Sequence, residues 1–149
     1  MRQRLKFVSN SSSSSFIIID ESKNYNIPKY DTTLVVDGKL GETEFGWQEE
    51  EYSDFGSKLI FSYLQTIYAN YNGLLKMLEE VVKENTGAPD IQWNIQETWS
   101  GGDGKDNGYI DHASSACEGR NIDIFYSKET LKDFLFNPLS YIHNDNDNH

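Results

Sequence analysis

The chain has 149 residues, 25% charged and 37% hydrophobic, with a formal net charge of -11 and one cysteine. This length fits a single domain, 1–149, able to bury ~70% of the surface that its unfolded chain exposes, and a lone cysteine excludes an internal disulfide and the stapled secreted scaffolds built on one. No apolar run approaches the ~20 residues of a membrane span and no signal-peptide core follows the first basic residues, so the expectation is a soluble intracellular protein whose acidity disfavours nucleic-acid phosphates and suits a basic protein partner.

The charge is uneven: Arg2, Arg4 and Lys6 give the first ten residues +3, leaving -14 to the remainder. Leu5 to Val8 reads as a short strand. Asn10 and the serines at 11–15 read as a loop in which hydroxyls bond their own backbone. Phe16-Ile17-Ile18-Ile19, bounded by Asp20, has the β-branched run of a buried strand. Thr33-Leu34-Val35-Val36 meets Asp37-Gly38, a two-residue hairpin signal, and the return strand is predicted from about Lys39 to Trp47. From Glu42 to Asp54 the chain holds Glu42, Glu44, Glu49, Glu50, Glu51 and Asp54 without a Lys or Arg. Such a run is most often a solvated face, yet Phe45, Trp47, Tyr52 and Phe55 are interleaved with it.

The middle is helical. Ser53 or Asp54 caps a segment in which Leu59, Ile60, Tyr63, Leu64, Ile67, Tyr68 and Tyr71 recur at helical spacing. After Asn72-Gly73, a second stretch places Leu74, Leu75, Leu78, Val81 and Val82 opposite Lys76, Glu79, Glu80 and Lys83, and Asn85-Thr86-Gly87 with Pro89 stops it. The pattern leaves open two helices or one kinked helix. Strand signals return at Ile91 to Trp99, Tyr109 to Asp111 and Ile122 to Tyr126, around a polar, Gly-rich connection from Ser100 to Gly108. Ser127 caps a short last helix with Leu131, Phe134 and Leu135, ended by Asn137-Pro138, and 144–149 reads as a frayed tail. The order predicts an α+β domain with a largely antiparallel sheet, two central helices and a short C-terminal helix.

Three patterns invite chemistry. Asp103 to Ser114 imitates a calcium loop, with Asn107 at position 5 and Gly108 at 6. However, Lys105 stands where position 3 needs an oxygen and Ser114 where position 12 needs Glu, so a loop closed by an Asn-Gly turn is the better reading. His112, Cys117 and His143 are ligand types that zinc prefers, with Asp111, Glu118, Asp145 or His149 as a fourth. No Cys-x-x-Cys or His-x-x-x-His spacing supports the set, and a buried free cysteine with two incidental histidines is the plainer reading. Metal there would be structural, because no general base accompanies it. Cys117 with His112 as nucleophile and base lacks an orienting third group and an oxyanion-hole motif. Phosphate-loop, dinucleotide, serine-elbow and metalloprotease motifs are absent from the sequence, and the expectation is a protein that is not an enzyme.

Arg4-Leu5-Lys6-Phe7-Val8-Ser9-Asn10, the serines at 11–15 and Phe16-Ile17 resemble the opening of small proteins encoded by bacteriophages and mobile elements. Tyr109-Ile110-Asp111-His112, Phe134-Leu135-Phe136-Asn137-Pro138 and Ser140-Tyr141-Ile142 are similar to segments of the same group. The acidic, aromatic middle carries no such resemblance. Proteins of this size and acidity from those elements include anti-CRISPR inhibitors of the type II-A RNA-guided nuclease, at least one of them zinc-containing and blocking target-DNA loading at the recognition lobe. The resemblance implies stoichiometric occlusion of that nuclease in the bacterial host cytoplasm, and it makes His112, Cys117 and His143 a structural zinc site. The nuclease holds its heteroduplex in a basic channel. Glu49, Glu50, Glu51 and Asp54 would complement that charge, with Trp47, Tyr52 and Phe55 as anchors. A phage accessory protein for another basic host protein, and a small hydrolase using zinc or Cys117, are the other readings.

Overall fold

The computed structural model describes residues 2–6, 16–45, 50–69, 72–97, 105–110 and 121–144. In chain order the elements are β1 (Arg2–Lys6), β2 (Phe16–Asp20), β3 (Leu34–Val36), β4 (Glu44–Phe45), β5 (Glu50–Tyr52), α1 (Phe55–Ala69), α2 (Asn72–Thr86), β6 (Ile91–Trp93), β7 (Ile95–Glu97), β8 (Asp106–Ile110), a 3-10 turn (Asn121–Phe125), α3 (Lys128–Phe136) and β9 (Tyr141–Asn144). This is an α+β fold.

The isoleucine run explains the largest sheet. Ile17, Ile18 and Ile19 are all buried, as a strand covered on both faces requires. β2 lies inside a four-stranded antiparallel sheet of order β1-β2-β9-β5. Ile17 sits opposite Leu5 of β1 and Ile142 of β9, and β9 in turn places Ile142 opposite Tyr52 and His143 opposite Glu51 of β5. β9 carries no strand signal in the sequence, where the last periodic pattern stops at Asn137-Pro138.

The helices follow their local signals. Asp54 caps α1, its Oδ2 accepting from the Ser57 N–H at 2.9 Å. α2 is a separate helix ended by Gly87, which has φ 81° and donates its N–H to Lys83 O at 3.0 Å. Ser127 caps α3, its Oγ accepting from the Thr130 N–H. α1 is buried on more sides than its apolar stripe implies. Lys58, Ser62 and Gln65 are as enclosed as Leu59, Ile60, Phe61 and Leu64, because α2, α3, the 3-10 turn and the β7–β8 pair all pack on it. Phe61 joins two rings in the core, edge-on to Phe45 at 5.4 Å and tilted to Phe134 at 6.5 Å. Gly41 and Gly56 let the chain after β3 cross the first turn of α1. A Cβ on Gly56 would lie 1.9 Å from Leu40 O, and one on Gly41 would lie 2.3 Å from Ser57 N.

Four expectations are corrected. The Asp37-Gly38 hairpin does not form: β3 pairs in parallel with β6, and β4 in parallel with β8. A type I′ turn needs positive φ at both central residues, and Gly38 lacks it. The chain instead makes a wider turn in which Leu40 N–H donates to Asp37 O, while Gly38 N–H donates to the Asp106 carboxylate of β8. The single strand expected from Ile91 divides at Asn94, whose N–H bonds Val36 O and whose carbonyl accepts from Asp106 N–H, so the chain leaves β3 and joins β8. Asn107-Gly108 is not a turn but part of β8, which leaves no calcium-type loop at those positions. Ile122 to Tyr126 is a 3-10 turn, with Tyr126 N–H returning to Asp123 O. Its short apolar run buries Ile124 and Phe125 without a strand partner.

Candidate functional site

The described acids of the run, Glu42, Glu44, Glu50, Glu51 and Asp54, are exposed beside two buried aromatic rings, Phe45 and Tyr52. β5 is an edge strand of the large sheet. Alternation along it turns Glu51 outward and Tyr52 inward, where Tyr52 is 8% exposed and edge-on to Phe45 at 5.1 Å. The Tyr52 hydroxyl donates to Glu50 Oε2 at 2.9 Å. Glu51 reaches His143 Nδ1 at 3.3 Å across the ladder. β4 behaves alike, with Glu44 exposed and Phe45 wholly buried. Glu42 is fastened at its backbone, its N–H donating to Ser57 Oγ at 2.9 Å. Glu42, Glu44, Glu50, Glu51 and Asp54 are therefore exposed on ordered backbone. Apart from the His143 contact, none of the five forms an ion pair among the described residues.

The structure redistributes the expected partner-binding residues. Glu50, Glu51 and Asp54 are all exposed, Glu51 on one side of β5 and Glu50 on the side of Tyr52, whose hydroxyl it accepts. Tyr52 is corrected from an exposed anchor to a core residue, because its ring completes the cluster with Phe45 and Phe61. Phe55 is half-buried, its ring stacked on Phe136 at 5.2 Å and 15°. Trp47 and Glu49 lie outside the described residues. Beside Phe55, a cleft of about 200 Å³ opens between the start of α1 and the end of α3, lined by Asn26, Ser53, Asp54, Phe55, Phe136 and Pro138, with Leu135 at its base.

The expected metal set is only partly placed. His143 lies on β9 against Glu51, and His112 and Cys117 fall outside the described residues. Among the described residues, no three His, Cys, Asp or Glu side chains converge.

Sequence reasoning missed the most polar feature of the core. Lys58, 0% exposed, lies one turn after Asp54 in α1 and donates from Nζ to Asn137 O at 2.9 Å and Ser140 O at 2.8 Å. Burial pushes its ammonium down to about 7, against the pull of the Asp54 carboxylate one turn earlier. The turn it grips is itself fastened. Asn137 Nδ2 donates to Asp20 O at 3.0 Å, Asp20 N–H donates to Ser140 Oγ at 2.8 Å, and that hydroxyl donates to Asp133 O at 2.7 Å. A lysine on an apolar stripe flanked by Leu59 was the available signal.

A second cluster secures the chain after β2. Lys23 has φ 64°, a left-handed backbone that a lysine seldom adopts. Its ammonium bonds Glu129 and the buried Asp133, which also accepts from the Tyr25 hydroxyl at 2.5 Å. These carboxylates raise the Lys23 pKa, and burial followed by the bond to Asp133 pushes Tyr25 up to about 12. The cluster is architectural, joining 23–25 to α3. No helix among the described residues is long and apolar enough to cross a membrane. No protein-family model matches the chain, and neither curated proteins nor solved structures provide a match.

Proposed function

We propose that this chain is a stoichiometric inhibitor that binds a type II-A RNA-guided DNA nuclease through its acidic edge and blocks loading of target DNA. The observation that carries this reading is the exposed set Glu42, Glu44, Glu50, Glu51 and Asp54, fixed on β4, β5 and the cap of α1. The next cation along the chain, Lys58, is buried and engaged with two carbonyls. Among the described residues no Lys or Arg pairs with these carboxylates, and the whole chain carries -11.

A fixed acidic surface suits a channel that cradles nucleic-acid backbone with Lys and Arg. Opposite charge speeds encounter and sets orientation, and apolar contacts in the centre of the interface hold the complex. Inhibition is by occupancy, without turnover. A structural zinc on His112, Cys117 and His143 belongs to the same reading, and metal analysis of the purified protein checks it.

The test is a mobility-shift titration of guide-loaded nuclease on target DNA, with the protein added first. Loss of the DNA complex near one-to-one stoichiometry is expected. Normal DNA binding together with normal cleavage in the same samples would retire the nuclease as the target.

A further inference from the structure

We propose that the cleft between the start of α1 and the end of α3 is a seat for an arginine side chain of the protein partner. This inference rests on the reading of the acidic edge as a protein-binding face and names the group that the face receives.

The lining selects the ligand. Phe55, half-buried and stacked on Phe136, gives the cleft an aromatic wall, and Pro138 adds apolar surface. Leu139, next in the chain to Pro138, is 44% exposed, apolar surface within reach of an aliphatic stem. The polar side chains of the lining are the Asp54 carboxylate, the Asn26 amide and the Ser53 hydroxyl, with no Lys or Arg among them. Asp54 uses Oδ2 to cap α1, and its Oδ1 forms no hydrogen bond among the described residues. Asn26 contributes its backbone N–H to Phe136 O, and its side-chain amide and the Ser53 hydroxyl have no partner among the described residues.

An anion would meet the Asp54 carboxylate, and a purely apolar group would leave Asp54, Asn26 and Ser53 facing it. A guanidinium satisfies both sides, stacking on an aromatic ring while its N–H groups fan out to several oxygens. The positive end of the α1 dipole, which would oppose a cation, is offset by Asp54 itself. Glu50 and Glu51 on the neighbouring β5 extend the attraction beyond the cleft.

The experiment titrates the full-length, isotope-labelled chain with N-acetyl-arginine amide and follows backbone amide shifts, with the citrulline analogue as a neutral isostere. Saturable shifts at Asn26, Asp54, Phe55 and Leu139 with the arginine derivative only are expected. Asp54→Asn keeps an N-cap residue and should weaken this binding roughly fivefold, the upper range for an exposed ion pair. Absence of shifts at millimolar arginine derivative, equal shifts from citrulline, or undiminished affinity in a well-folded Asp54→Asn protein would each overturn the proposal. Arginine binding here, with failure of the nuclease titration, would keep the cleft and dismiss that partner.

Discussion

Lys58 lets the stability of this fold be tuned by pH in a stated direction. Burial lowers its ammonium from 10.5 to about 7. About 3.5 pH units of depression correspond to roughly 5 kcal/mol of penalty for keeping it charged in the folded state. The folded pKa lies below the unfolded one, so between about 7 and 10.5 the unfolded chain binds more protons and stability rises with pH. Below 7 both states are charged and the full penalty persists. From pH 6.5 to 9.5 the expected gain is about 3 kcal/mol. Tyr25, Tyr30 and Tyr63 are pushed up from 10.0 and remove stability only above that pH, outside the window. In Lys58→Met the chain loses the bond to Ser140 O, while Asn137 O keeps the Ser140 N–H, and the slope due to Lys58 disappears. The assay is urea unfolding of both proteins at pH 6.5, 8.0 and 9.5. A wild-type-minus-variant difference that stays constant to within about 0.5 kcal/mol would refute the reasoning. The two carbonyls would then be sufficient to hold the ammonium charged.

Three further outcomes follow from the same geometry. Glu50→Lys with Glu51→Lys gives up the Tyr52 hydroxyl's bond and the His143 contact, should cost about 1 kcal/mol of stability, and should slow association with the proposed nuclease about tenfold at low salt; stopped-flow rates that do not change would move the interface elsewhere. Asp133→Ala removes the acceptor of Tyr25 and Lys23 from a buried site and should lower stability by about 3 kcal/mol, read from thermal unfolding, whereas a loss under about 1 kcal/mol would mean that the cluster does not secure 23–25. Gly56→Ala puts a methyl onto Leu40 O and should cost about 3 kcal/mol; wild-type stability in urea would show that the turn and α1 can separate freely.

What was legible in the sequence was local. Ile17-Ile18-Ile19, the apolar stripes of the helices, the Asp54 and Ser127 caps and the Gly87 stop each depend on neighbours a few residues away. The strand pairings were not legible, because Leu34 meets Ile91 and Glu44 meets Tyr109 across the two central helices. A hairpin signal at Asp37-Gly38 was locally sound and lost to bonds made by Asp106 and Asn94. The buried Lys58 eluded pattern reasoning for a similar reason. Its acceptors are carbonyls about eighty residues away, on a turn whose position only the folded chain defines. At the candidate site, charge was readable and exposure was not: the carboxylates stayed outside while Tyr52 went into the core.

The first and last strands of the large sheet's interior depend on each other. Ile17 of β2 pairs with Ile142 of β9. Asn137 and Ser140 fasten the turn before β9 to Asp20 at the end of β2, and Lys58 holds that turn to α1. These residues build the large sheet and the polar clamp beneath it. The carboxylates of Glu42, Glu44, Glu50, Glu51 and Asp54 stand outside this clamp and make none of its bonds. Charge reversal at Glu50 and Glu51 is therefore the more discriminating probe of function, whereas substitutions at Asn137 or Ser140 should register first as lost stability.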